Sequence, residues 1–84
     1  MREVVWQTQA LTDVLDIFLG DRRQARRIVD AVVQYEREGP VDIRALHGER
    51  GLFRIRVGAW RVILRLDADR AVILQVRLRR DAYE

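Results

Sequence analysis

Residues 51–67, GLFRIRVGAWRVILRLD, repeat with period two on both sides of a glycine. That alternation describes two extended strands, because side chains two apart along a strand share a face. In the first strand Phe53, Ile55 and Val57 fall on one side, with Leu52, Arg54 and Arg56 on the other. Gly58-Ala59 suits a two-residue hairpin turn with glycine at its first central position. In the second strand Trp60, Val62, Leu64 and Leu66 form the apolar side and Arg61, Ile63 and Arg65 the opposite one. A further turn around Asp67–Arg70 leads to a third strand. There period two directs Val72, Leu74, Val76 and Leu78 to the core and Ile73, Gln75, Arg77 and Arg79 away from it.

The N-terminal half has a different rhythm. Residues 3–7 alternate as a short strand, with Val4 and Trp6 on one side and Val5 on the other. From Leu11 the period is helical: Leu11, Val14, Leu15 and Phe18 form one stripe that Gly20 ends. Asp21 is placed to cap a second helix whose stripe is Ala25, Ile28, Val29, Val32 and Tyr35, and Gly39-Pro40 stops it. Residues 41–51 lack a period and are expected to be loop. The expected fold is α+β, in the order β-α-α-β-β-β. Two N-terminal helices pack on one face of a small, mainly antiparallel four-stranded sheet.

At 84 residues the chain accommodates a single domain, 1–84, with one core. Cysteine is absent and His47 is the sole histidine, which excludes a disulfide framework and a cysteine- or histidine-rich metal site. The start MREVVWQTQ reads as a strand instead of a signal peptide, and the apolar runs are too short to span a bilayer, so a soluble cytoplasmic protein is expected. All 16 basic residues are arginine. In residues 1–50 eight arginines face nine carboxylates, whereas in 51–84 eight face four. The helical arginines Arg22, Arg23, Arg26 and Arg27 fit a solvated face, with Arg26–Asp30 spaced to pair at i, i+4. The strand arginines are different. Arg54, Arg56, Arg61, Arg65, Arg77 and Arg79 gather on one face on which the periods place no carboxylate. Packing has no use for six like charges, and a phosphate-bearing partner is the simplest account of them. The bland alternative is that their stems cover Leu52, Ile63 and Ile73 while their heads reach water.

The loop LHGERG followed by LFRIRVGAWRVILRLDADRAVILQVRLRRDAYE resembles the C-terminal half of the RelE/ParE superfamily of type II toxins. The N-terminal VVWQTQALTDV is similar to that family's first strand and helix, so the likeness spans nearly the whole chain. For the RelE branch it implies a metal-independent endoribonuclease, with no cofactor, that cleaves mRNA in the ribosomal A site by 2′-hydroxyl attack on the adjacent phosphate. Carried over position by position, the likeness implies catalytic roles for Arg54, Arg61, Arg79 and Tyr83. It implies RNA-binding roles for Arg56, Arg65, Arg77 and Arg80. Leu78 stands where many relatives have histidine, and Arg77 where they have glycine; Tyr83 is then the titratable candidate, with Glu49 behind it and His47 an ordinary loop residue. The implied partner is an acidic, partly disordered antitoxin. A ParE-like protein that inhibits DNA gyrase without nuclease chemistry, and a non-catalytic RNA-binding relative, are the alternatives.

Overall fold

A computed structural model of the chain describes residues 1–81. β1 (Glu3–Trp6), α1 (Thr8–Gly20) and α2 (Arg22–Glu36) come first. They are followed by β2 (Ile43–Ala45), β3 (Leu52–Val57), β4 (Trp60–Asp67), β5 (Arg70–Leu78) and a 3-10 turn at Arg79–Asp81. The strands form one mixed sheet in the order β1-β5-β4-β3-β2, with β1 parallel to β5 and the other pairs antiparallel. α1 lies against β5 and α2 against β3. The Asp21 carboxylate caps α2 by accepting the Gln24 N–H at 3.2 Å.

The sheet has five strands where the periodicity predicts four. β2 is a three-residue strand within the segment expected to be loop, too short to display a period. Its anchor is Asp42, just ahead of it. The Asp42 carbonyl accepts the Arg56 N–H at 2.9 Å and Arg54 Nη1 at 3.0 Å, and its carboxylate meets the same nitrogen at 3.1 Å. Arg54 holds that carboxyl below its usual pKa, chiefly by hydrogen bonding. Partial desolvation opposes the shift, and the charges of Arg54, Arg44 and Arg56 assist it.

The core lies between the helices and one face of the sheet. Ala25, Ile28, Val32 and Tyr35 of α2 meet Ile55, Val57, Val62 and Leu64 of the hairpin, as the periods predict. Trp6 and Trp60 pack against this cluster. Full burial of each large aliphatic side chain contributes about 1.5–3 kcal/mol.

β5 departs from strict alternation. Leu64 pairs with Ile73 and Ile63 with Gln75, so Leu74 is an extra residue, a β-bulge. Ahead of the bulge, Ala71 and Ile73 enter the helix-covered core while Val72 is buried outside it, the reverse of the expected order. After it, Val76 returns to the core.

α1 also differs from expectation. Ala10, Asp13 and Ile17 are its buried residues, whereas Leu11, Leu15 and Phe18 of the predicted stripe are exposed. The helix carries two apolar stripes, and the smaller one, interrupted by an aspartate, faces inward. Asp13 is there because β1 ends at Trp6, leaving the outer edge of β5 without a strand beyond Ile73. Its Oδ2 accepts the buried Val76 N–H at 2.8 Å, and its Oδ1 accepts Gln9 Nε2 at 2.8 Å.

Replacing Asp13 by alanine leaves a buried backbone N–H without an acceptor. This lowers unfolding free energy by about 1–3 kcal/mol, and Asp13→Asn loses less, as denaturant titration will show. For Asp42 the sign follows from a folded pKa lying below the unfolded one. Its stabilisation is present above an unfolded pKa of about 3.9 and is lost as pH falls through the folded value. Asp42→Asn is therefore less stable than the parent at neutral pH, and the two denaturation midpoints converge in acid. A gap that fails to narrow as the pH is lowered through the carboxylate range would show that the charge of Asp42 is not the cause.

Candidate nucleic-acid interface

Strand register assembles the sheet face opposite the helices row by row, since directly paired residues share a face. Arg56 pairs with Arg61 and Arg61 with Arg77, which lines up three arginines across β3, β4 and β5. The neighbouring row is Arg44, Arg54, Ile63 and Gln75, and the next is Leu52, Arg65, Val72 and Val5. Adjacent like charges in these rows oppose folding.

Two of the arginines are buried, which the sequence does not foretell. Arg61 is 3% exposed, and its Nη1 donates to the carbonyls of Gly58 at 2.9 Å and Trp60 at 3.0 Å, tying the side chain to its own hairpin turn. Arg54 is 8% exposed and held by Asp42. A guanidinium cannot shed its charge to escape burial, so such contacts are what make the positions tolerable. Arg65 Nε bonds Asp67 Oδ1 at 3.0 Å, and Arg77 Nε bonds Gln75 Oε1 at 2.8 Å; both arginines are half-buried. Arg56 is exposed.

The face is therefore less free of carboxylates than the periods predict. Asp67 is the last residue of β4 and shares this face with Arg65, two positions away, a relation visible in the sequence. Asp42 carries no comparable signal, because it reaches Arg54 only once β2 has formed. Arg44, which β2 adds to the face, was hidden for the same reason. Ile73 belongs to the core, while Ile63, 1% exposed, lies amid the arginines with Arg54 and Gln75 as its cross-strand neighbours.

Arg79 and Arg80 are exposed in the 3-10 turn. The Arg79 N–H donates to the Ala59 carbonyl at 2.8 Å, which draws the end of β5 onto the turn that binds Arg61. A shallow cleft there is lined, among the described residues, by Ala59, Leu78, Arg79 and Arg80. Tyr83 lies outside the described residues. His47 and Glu49 are exposed in the loop between β2 and β3. No cluster of three or more metal-ligating side chains occurs among the described residues, and none of their helices is long and apolar enough to cross a membrane.

The exposed Arg56 and the half-buried Arg65 and Arg77 offer cations to a ligand that carries several negative charges, beside the buried Arg54 and Arg61. Forked guanidinium donors match the non-bridging oxygens of a phosphodiester. Rigidly held ones stabilise charge that develops there without reorganising. Arginine is nevertheless unsuited to proton transfer near neutral pH.

A second surface lies on the helical side. Leu11, Leu15, Phe18 and Val29 are exposed around a groove between α1 and α2, floored by Trp6 and Val14. Arg22 stands over the Phe18 ring at 5.7 Å, and Arg26 and Asp30 line the adjoining hollow.

No family model matches this sequence, and no curated relative does. Solved structures do match. A copper-bound mutant toxin from Helicobacter pylori superposes with a TM-score of 0.79 at 10% identity, over 99% of this chain and 100% of that one. RelE in a RelB–RelE antitoxin–toxin complex from Methanococcus jannaschii gives a TM-score of 0.76 at 18% identity, covering 95% of each chain. A YoeB/ParE toxin from Agrobacterium tumefaciens gives 0.75 at 20% identity, over 90% of this chain and 96% of that one. Helix pair and strand order thus form the RelE/ParE-like fold, and this chain has that fold.

Proposed function

We propose that the chain is the toxin of a type II toxin–antitoxin pair and acts as a metal-independent endoribonuclease on mRNA in the ribosomal A site. The observation that carries this reading is the row Arg56–Arg61–Arg77, with Arg61 locked to its turn and Arg79 drawn to the same turn. In the proposed reaction an mRNA 2′-oxygen attacks the adjacent phosphorus. The P–O5′ bond breaks, leaving a 2′,3′-cyclic phosphate and a free 5′-hydroxyl. Arg54, Arg61 and Arg79 stabilise the charge that gathers on the non-bridging oxygens. Arg56, Arg65, Arg77 and Arg80 hold the flanking backbone. The 2′-hydroxyl proton passes to a base and the leaving 5′-oxygen takes one from an acid; Tyr83 is the proposed titratable group.

The proposed partner is a cognate acidic antitoxin, a reading supported by the similar structures that contain RelB, YefM or DinJ. Its amphipathic helix seats an apolar face on Leu11, Leu15 and Phe18, and acidic residues on its flanks meet Arg22 and Arg26 on the rim. In this reading the antitoxin's anchor lies on the helical layer, and the arginine face is a second surface that its charge reaches.

Primer extension on translated mRNA tests the activity. Cuts appear with the parent protein and fall by about 10²–10³-fold with Arg61→Ala, provided its melting transition shows a folded protein. The exposed Arg56→Ala lowers cutting less and leaves the fold intact. Growth arrest with intact message and gyrase-dependent DNA damage would overturn the nuclease reading in favour of a ParE-like inhibitor. For the partner, Phe18→Ser weakens capture of the product of an adjacent small reading frame by about 30-fold, the effect of losing a central aromatic anchor. Toxicity of the variant expressed alone persists, since Phe18 is distant in the fold from the arginine rows.

A further inference from the structure

Gly58, the first residue of the β3–β4 turn, has φ +60°, a conformation that favours glycine. A side chain there would stand in van der Waals contact with Arg27 of α2. Its Nη1, Nη2 and Cζ lie 3.5, 3.6 and 3.8 Å from the position of a Cβ on Gly58. The guanidinium therefore rests beside a turn that also holds the Arg61 guanidinium and, by a backbone N–H, the start of the 3-10 turn at Arg79. Arg61 reaches the Gly58 and Trp60 carbonyls, the Arg79 N–H reaches Ala59, and Arg27 covers Gly58.

The four arginines of α2 are not equivalent. Arg26 lies 3.9 Å from Asp30, and Arg22 stands over Phe18. Arg27 forms no ion pair within 4.0 Å among the described residues, although Asp30 is three positions on and Asp81 closes the 3-10 turn after β5. An exposed guanidinium with no carboxylate within 4.0 Å leaves positive potential beside the turn, and that potential draws an anion.

We propose that Arg27 belongs to the phosphate-contacting surface and carries it from the arginine rows, round the end of the hairpin, onto the helical layer. This inference rests on the RNA reading above. The ligand is a single-stranded RNA whose backbone crosses the β3–β4 turn, with one phosphate taken by Arg27.

The test uses a fluorescently labelled single-stranded RNA oligonucleotide, titrated with the full chain at salt concentrations from about 50 to about 200 mM. Arg27→Ala weakens binding about 5- to 10-fold at the low end, and the slope of log affinity against log salt falls by about 0.7, the value for one phosphate contact on a single strand. Arg26→Ala, the control on the same helix, leaves both within about 2-fold of the parent. Arg56→Ala serves as the reference for the arginine rows. If Arg56→Ala weakens binding while Arg27→Ala keeps the parent's affinity and slope, this inference is overturned and the RNA reading stands. If neither variant changes binding, the RNA reading falls and this inference with it. Arg27 is exposed, so an unchanged melting temperature is expected and ties any loss of binding to the contact.

Discussion

When β4 and β5 pair, Leu74 is left over, and the composition of both sheet faces depends on that surplus residue. A ladder without the bulge, counted from Leu66–Ala71, would set Val76 opposite Arg61 and Arg77 opposite Trp60. A valine would then interrupt the arginine row, and a guanidinium would point into the core beneath the helices. The bulge moves Val76 into the core and Arg77 into line with Arg61. Asp13 holds the re-phased segment through the Val76 N–H, two residues beyond Leu74. A buried carboxylate on α1 thereby takes part in aligning charges on the far side of the sheet.

Burial of Arg54 and Arg61 imposes the second constraint. A charged side chain that stays ionised must bring its hydrogen-bond partners with it. Arg61 draws on backbone carbonyls supplied by a tight turn, while Arg54 recruits Asp42 and with it a short strand. Each solution ties one guanidinium nitrogen to a fixed acceptor and so restrains the direction of the group. Lysine would not serve equally, having a compact head, no planar fork and a pKa that burial readily lowers.

How much of this was legible in the residues depended on length and contrast. The hairpin from Leu52 to Leu66 could be read in detail because large apolar and charged residues alternate without interruption. β5 could be read as a strand but not phased, because Val72, Ile73 and Leu74 are all apolar and offer no contrast to mark the bulge. β2 was invisible at three residues, and Asp42 and Arg44 with it. In α1 the larger stripe suggested the wrong inner face. Its exposed leucines and phenylalanine outweigh Ala10 and Ile17, and the inward Asp13 earns its place through a backbone bond that no periodicity registers. The strand arginines through Arg77 were plain, whereas Arg79, read as the end of the third strand, lies in the 3-10 turn beyond it. Which members are buried, and what holds them, required the fold.

The lengths of the strands also bear on how such a sheet avoids its own kind. β4 and β5, at eight and nine residues, lie inside it, whereas the edges are β1 and β2, at four and three. A second sheet approaching edge to edge finds only a few backbone groups to pair with at either side, and at β2 it meets the charged Arg44 in the middle of the strand. The longest and most apolar strands, those best suited to templating cross-β aggregation, are sealed between neighbours. Interaction is left to side chains on the two broad surfaces, where recognition is set by shape and charge instead of backbone hydrogen bonding.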